Sequence, residues 1–185
     1  MCADWPNSYE IIDISPLVSG KTAVFPGDVV YQRNVSLSFQ KNDPYELSSI
    51  KTTLHIGAHA DAPSHYHPKG QSIDERPLYP YLGKCQVVTI ELQPNQRLQP
   101  HHIQNISLQA KRVLFRTQSF LNANTWTSLF NALSPQLIEV LVAQKVILIG
   151  IDTPSVDLAD SKVLETHQSI YKHDLAILEG LSLNL

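Results

Sequence analysis

The stretch Lys145-Val-Ile-Leu-Ile-Gly-Ile151 indicates the fold class of this chain most clearly. It is a near-continuous apolar run, which is typical of a β-strand that is buried on both faces of a sheet. The residues before it favour a helix through Ala143, because Ser134 is a good N-cap and Pro135 suits the first helical position. A helix followed by a buried strand predicts an α/β arrangement.

The regions on either side of this unit extend the pattern. Asp160 and Ser161 are placed to cap a second helix, and an apolar strand follows at residues 175–181. Earlier in the chain strands dominate, beginning with Tyr9–Ser15. Strands first and β-α-β units later predict a mixed α/β fold, in a single domain that spans residues 1–185.

Composition and charge exclude several classes of protein. The 185 residues are 43% hydrophobic, which is enough for a core without disulfides and argues against disorder. Their 17 acidic and 14 basic groups leave no basic stripe for nucleic acid or anionic membranes. Cys2 and Cys85 form no recognisable motif, and neither a secretory signal nor a long apolar span is visible. We therefore expect a cytoplasmic protein whose partner is neither nucleic acid nor a membrane.

Histidine is over-represented, and the excess is concentrated in His55-Ile-Gly-Ala-His59-Ala-Asp61-Ala-Pro-Ser-His65. A helix would turn Asp61 about 240° away from His55, so it cannot bring these groups together. A flat strand would separate His55 and His59 by roughly 13 Å, whereas metal–ligand bonds are about 2 Å long. The chain is therefore predicted to bend, and Gly57 is the residue that permits a bend without a Cβ clash.

Two imidazoles and one carboxylate suit Zn²⁺, Mn²⁺ or Fe²⁺ and leave coordination positions open. A carboxylate can also bridge two metals, which would require further ligands. The candidates are His167, in the late helix, and Glu179, within an apolar strand where an unpaired charge would be costly. The residues alone leave a dimetal site as one hypothesis among others.

Other interpretations of the same residues remain open. The motif around His55 also fits a solvated histidine-rich loop, and His167 also fits a helix histidine facing water. Asp152 fits a turn acid better than a support for the site, and Phe25 fits either a plain turn or an aromatic wall. The remaining histidines have no supporting pattern and are expected at the surface: His67, His101, His102 and His173.

Several stretches together resemble the cyclase family of metal-dependent hydrolases, and within it the bacterial arylformamidases. They occur in the family's order along nearly the whole chain: 55–66, 81–85, 150–157, Ser161-Lys162 with His167, and 177–181. The resemblance implies a swivelling β/β/α fold, a homodimer, and two bound divalent metal ions. Zn²⁺ is the metal that it implies, with Mn²⁺ as the alternative.

The resemblance also implies a role for each candidate ligand. His55, His59 and Asp61 correspond to ligands of the first metal, with Asp61 bridging to the second. His167 corresponds to a ligand of the second metal, and Glu179 to the other bridging ligand.

Residues outside the ligand set are implied to act on the substrate. His65 corresponds to the proton donor and acceptor, and Phe25 stands where arylformamidases carry a tryptophan that contacts the substrate ring. Phe25 and Tyr66 are the candidates for an aromatic wall. Ala58 departs from the threonine that the family has in this motif.

The activity that the resemblance implies is hydrolysis of N-formyl-L-kynurenine to L-kynurenine and formate, a step of tryptophan breakdown. One alternative is a related hydrolase that opens a cyclic amide such as isatin. An alternative of another class is a non-catalytic metal-binding protein, which would need the metal ligands but not His65.

Overall fold

Residues 10–184 are described by a computed structural model, in which nine strands and four helices form. In chain order these are β1 Gln32–Leu37, β2 Leu47–Lys51, β3 His59–Asp61, α1 Pro63–Tyr66, β4 Gln86–Thr89, β5 Arg97–Leu98, α2 Pro100–Ile103, β6 Arg112–Arg116, β7 Ala132–Leu133, α3 Pro135–Ala143, β8 Leu148–Ile151, α4 Glu165–Lys172 and β9 Ala176–Glu179. Short 3₁₀ turns lie at Phe39–Lys41, Ile73–Glu75 and Tyr79–Tyr81.

The main sheet has five strands in the order β3-β9-β8-β6-β4. Strands β4, β6, β8 and β9 are parallel, and β3 joins the edge antiparallel to β9. Helices α3 and α4 precede β8 and β9 and pack against each other. This arrangement confirms the prediction of a mixed α/β fold.

Both faces of the central strands β6 and β8 are buried, as the apolar run of β8 predicts. On β6, Val113 and Phe115 pack into the larger core, and Leu114 between them packs into a second cluster with Leu148 and Leu181. The period of two along β6 therefore divides its side chains between the two faces. The predicted helix through Ala143 begins at Pro135, with the Ser134 side chain accepting from the Leu137 N–H.

The N-terminal region differs from the prediction. Glu10–Ser15 form no strand, and Ile11 and Ile12 are 75% and 50% exposed. The Asp13 carboxylate accepts from the Ser15 N–H and bends the chain there. Ile11 and Ile12 therefore do not belong to a strand and do not pack into a sheet. Cys2 and Tyr9, which entered the sequence predictions, lie outside the described residues.

The second predicted helix starts later than Ser161. Leu164 has a left-handed φ of 50°, which cannot belong to a right-handed helix, so α4 begins at Glu165. Within residues 10–184, every helix is too short or too polar to cross a bilayer.

Candidate metal centre

The edge strands β3 and β9 bring the first candidate ligands together. His59 and Asp61 lie on β3, and His59 is directly opposite Glu179 in the antiparallel register. His55 precedes β3, and Gly57 between them has a left-handed φ of 62°. The bend predicted at Gly57 is therefore confirmed. His167 reaches the same place from α4.

Gly57 and Gly180 lie against each other behind the cluster. Gly180 also has a positive φ, of 66°, and a Cβ added there would lie 2.1 Å from the Gly57 carbonyl oxygen. Because real side chains do not approach that closely, only glycine allows the bend before His59 to lie against the end of β9.

Four side chains converge around the Asp61 carboxylate. Its Oδ1 lies 3.0 Å from His55 Nδ1 and 3.5 Å from His59 Nε2. Its Oδ2 lies 3.4 Å from His167 Nε2. Glu179 faces the other side of both rings, with 3.5 Å from Oε1 to His167 Nε2 and 3.6 Å from Oε2 to His59 Nε2. The structure thus gathers all five predicted metal ligands.

The donor set fits a metal centre. Two groups have ligand atoms that all lie within 4.8 Å of one another, namely His55 with His59 and Asp61, and Asp61 with His167 and Glu179. Asp61 belongs to both groups, as a bridging carboxylate must. Its Oδ1 is buried without a hydrogen-bond partner, which is costly unless a cation satisfies it.

The rings are held so that one nitrogen of each points into the cluster. The other ring nitrogen of His59 lies 3.0 Å from the Gly57 carbonyl oxygen, and that of His167 lies 2.8 Å from Asp157 Oδ2. Such partners fix the tautomer and orientation of a metal-binding histidine. Glu179 is oriented by the Val156 N–H, which donates to Oε1 at 2.6 Å.

Asp157 and Arg97 form a support that the sequence reasoning missed. Asp157 is fully buried and accepts from the backbone N–H groups of Thr166 and His167 as well as from the His167 ring. Arg97 donates to Asp157 at 3.0 Å and to Glu165 at 2.6 Å. The available signal was that Asp157 ends one of the stretches on which the family resemblance rests.

Negative charge dominates the cluster and sets its pKa values. Burial raises the pKa of Asp61, but the neighbouring imidazoles of His167, His55 and His59 outweigh it, so the pKa lies well below its usual range. Burial lowers the pKa of His167, but Asp157, Asp61 and Glu179 raise it well above its usual value. The Asp61 carboxylate thus stays ionised and attracts positive charge, which a divalent cation can supply in place of protons.

His65 lies on the exposed rim of the cluster. Its ring centroid is 3.9 Å from that of His55 and 6.3 Å from that of His167. Desolvation lowers the pKa of His65, and the opposing effect of Asp61 is smaller. The imidazole is therefore neutral near neutral pH and has a lone pair that can accept a proton.

Tyr66 is not on the cavity wall that the sequence suggested. It is 7% exposed, its ring centroid is 5.0 Å from that of His167, and it lines a different cavity with Arg76 and Tyr171. Adjacent residues of a helix point about 100° apart. With His65 facing the cluster, Tyr66 therefore turns into the core behind His167.

Phe25 does line the cavity that opens on His55 and His59. The same wall includes Phe120 and Trp126, which sequence reasoning missed because they lie about a hundred residues away without a recognisable pattern. Asp152 also borders the cavity, but its carboxylate accepts from the N–H groups of Thr117 and Gln118 and from the Thr117 hydroxyl. Asp152 is thus a turn acid, as expected.

Known proteins match this chain over most of its length. The model of the Cyclase family matches residues 12–158. The kynurenine formamidase of Bordetella petrii is 42% identical over 173 residues, which cover 93% of this chain and 82% of that protein. The kynurenine formamidase of Bordetella avium is 40% identical over 173 residues, with the same coverage.

Solved structures share the fold. One described as a potential metal-dependent hydrolase with cyclase activity superposes with a TM-score of 0.78 at 20% identity, covering 94% of this chain and 82% of that one. Isatin hydrolase A from Labrenzia aggregata superposes with a TM-score of 0.72 at 17% identity, covering 94% and 80%. At these identities they establish the architecture, and they confirm the expected cyclase-like fold.

Proposed function

This chain belongs to the cyclase family, and from that premise we propose that it is a metal-dependent hydrolase that converts N-formyl-L-kynurenine to L-kynurenine and formate. The observation that carries the proposal is a buried cluster of three imidazoles and two carboxylates that opens onto a cavity walled by aromatic rings. The identity of 42% to a kynurenine formamidase over 93% of the chain supports the choice of substrate.

We propose that the cluster holds two divalent ions. His55, His59 and Asp61 would hold the first, and Asp61, His167 and Glu179 the second, which accounts for the buried Asp61 oxygen that lacks a partner. Glu179 also lies near His59, as expected of the second shared ligand. Imidazole and carboxylate ligands suit Zn²⁺, with Mn²⁺ as the alternative. When bound, such a pair lowers the pKa of water towards neutrality and polarises the formyl oxygen.

The chemistry requires one proton to move within the site. Water adds its oxygen to the formyl carbon, the C–N bond breaks, and the aryl nitrogen leaves after it takes up a proton. His65 is suited to carry that proton, because its neutral ring lies at the open rim with its centroid 3.9 Å from that of His55. It accepts a proton from the attacking water and returns it to the departing nitrogen.

The aromatic part of the substrate would lie against Phe25, which lines the cavity beside His55 and His59. Formyl is the smallest acyl group, so the cavity needs a wall for the ring and little room on the acyl side. Tyr66 is reassigned from this wall to a supporting contact behind His167.

We also propose that the chain forms a homodimer and acts in the cytoplasm. The support for a dimer is the β1–β2 hairpin, where Val35, Leu47 and Ile50 are 43%, 50% and 63% exposed. An isolated two-stranded hairpin is marginally stable and gains from being covered. Light scattering should give twice the chain mass, and a monomer at micromolar concentration would contradict the dimer. Cell fractionation tests the compartment.

The substrate is tested by two assays run side by side on the same Zn²⁺-loaded and Mn²⁺-loaded protein. Formate release from N-formyl-L-kynurenine should greatly exceed ring opening of isatin. Faster opening of isatin would instead indicate a hydrolase that opens a cyclic amide. Tight metal binding without turnover of either compound would instead indicate the non-catalytic metal-binding protein.

A further inference from the structure

Three half-buried aromatic rings line the cavity that two of the candidate metal ligands border. They are Phe25, Phe120 and Trp126, and the cavity that they line is the same one that His55 and His59 border. The rings of Phe25 and Trp126 touch, with centroids 4.5 Å apart. They form a continuous surface, which we call the aromatic wall.

A fourth ring, Phe130, holds the aromatic wall from behind. Phe130 is fully buried, and its centroid lies 6.3 Å from Phe25, 6.2 Å from Phe120 and 6.0 Å from Trp126. All three rings stand nearly perpendicular to it, at 85°, 88° and 81°. Edge-to-face packing at these distances is favourable, so the directions of the three rings are set before any ligand arrives.

The loop that carries Trp126 is anchored at several points. Asp152 binds its start through Thr117 and Gln118. The Ala23 N–H donates to the Ala123 carbonyl at 2.8 Å, which ties the loop to the segment that carries Phe25. A wall that is already ordered loses little conformational entropy when a flat ligand binds to it.

Charge contributes little to recognition in this cavity. Among the described residues that line it, Asp152 is the only acid and there is no lysine or arginine. Both Asp152 oxygens already accept hydrogen bonds from the Thr117–Gln118 turn. The cavity is therefore suited to bind a planar apolar group beside the metal ligands.

We propose that Trp126 is a specificity-determining residue that contacts the aryl ring of the leaving group, with Phe25 beside it and Phe130 fixing its direction. This inference rests on the proposed formamide hydrolysis, because the ring belongs to the amine that departs. An indole offers a larger face than the phenylalanine at position 25, so the main stacking contact shifts to Trp126.

The test compares two formamides that differ in the ring alone, N-phenylformamide and N-cyclohexylformamide. Trp126→Leu should lower the ratio of their kcat/KM values by about 3- to 10-fold, the range expected for loss of an aromatic stacking contact. The different reactivities of the two amines cancel when variant and wild type are compared. Trp126→Phe should retain most of the ratio. Leu129→Ala, at an exposed residue of the same loop, is the matched control and should leave it unchanged.

A binding measurement tests Trp126 without turnover. The chain has two tryptophans, so Trp5→Phe leaves Trp126 as the single tryptophan, which can be excited selectively over the tyrosines. L-Kynurenine should quench it saturably after inner-filter correction, and acetate should not. An unchanged substrate ratio in folded Trp126→Leu, or no saturable quenching, would overturn the inference. If wild type releases no formate from N-formyl-L-kynurenine, the proposed function fails, and the quenching result alone then decides whether an aryl ligand binds beside Trp126.

Discussion

Replacing Asp157 with asparagine tests the support of the second metal position. Each carboxylate oxygen of Asp157 accepts two hydrogen bonds: Oδ1 from Arg97 and the Thr166 N–H, and Oδ2 from the N–H and the ring of His167. Asparagine has a single acceptor oxygen and an NH₂ group. Whichever way the amide is oriented, two donors lose their acceptor and face another donor.

The expected size of each effect of Asp157→Asn follows from the hydrogen bonds that it removes. The orientation that keeps both His167 bonds leaves Arg97 without Asp157, but Glu165 still pairs with the guanidinium at 2.6 Å. The expected cost is therefore about 2–3 kcal/mol, below the usual cost of breaking a buried ion pair. The opposite orientation of the asparagine amide places its NH₂ against the His167 ring. The ring then has no acceptor to fix its tautomer. Loss of such a partner weakens metal binding by about 10- to 100-fold.

Two measurements on Asp157→Asn separate these effects. Chelator competition with Zn²⁺ should show one equivalent bound as in wild type and a second bound about 10- to 100-fold more weakly. Urea unfolding of the metal-free protein should give the stability loss. Asp160→Asn, an exposed acid on the same connection, is the matched control. Two equivalents bound with wild-type affinity would refute the assignment of Asp157 as the residue that positions His167.

Further predictions concern the backbone, the proton carrier and the core. Gly180→Ala should abolish binding of the second metal equivalent and lower the melting temperature, because its Cβ would lie 2.1 Å from the Gly57 oxygen. Gly20→Ala is the control, since its Cβ would meet nothing closer than 3.8 Å. Equal metal content in both variants would contradict this prediction. His65→Ala should lower kcat by about 10²- to 10⁴-fold with two metal equivalents retained, as measured by formate release, and undiminished turnover would exclude the proton role. Phe115→Ala, at a fully buried residue of β6, should lower the free energy of unfolding by about 3–5 kcal/mol in urea titration.

The local sequence pattern was sufficient to predict the site residues that lie near one another in the sequence. The spacing of His55, His59 and Asp61 excludes both a helix and a flat strand, so it predicts the bend found at Gly57. Glu179 could be predicted because a carboxylate in an apolar strand requires a partner. In both cases residues that do not fit a regular helix or an apolar strand indicated a functional site.

Other parts depend on contacts between distant segments, which no local pattern reports. Arg97 meets Asp157 across 60 residues, because the fold places β5 against the connection between β8 and α4. Trp126 joins Phe25 through a loop without regular periodicity. Tyr66 was predicted to lie on the cavity wall because it follows His65 in the sequence. That prediction was wrong, because adjacent residues of a helix point in different directions.

The central claim is that this chain hydrolyses an aryl formamide with a metal pair held by the Asp61 cluster. The most direct test is formate release from N-formyl-L-kynurenine by chelator-stripped protein, measured as Zn²⁺ is added back in known equivalents. We predict negligible release without metal and a rise that reaches its plateau near two equivalents. Full activity in the stripped protein, or no formate at any metal loading, would contradict the claim.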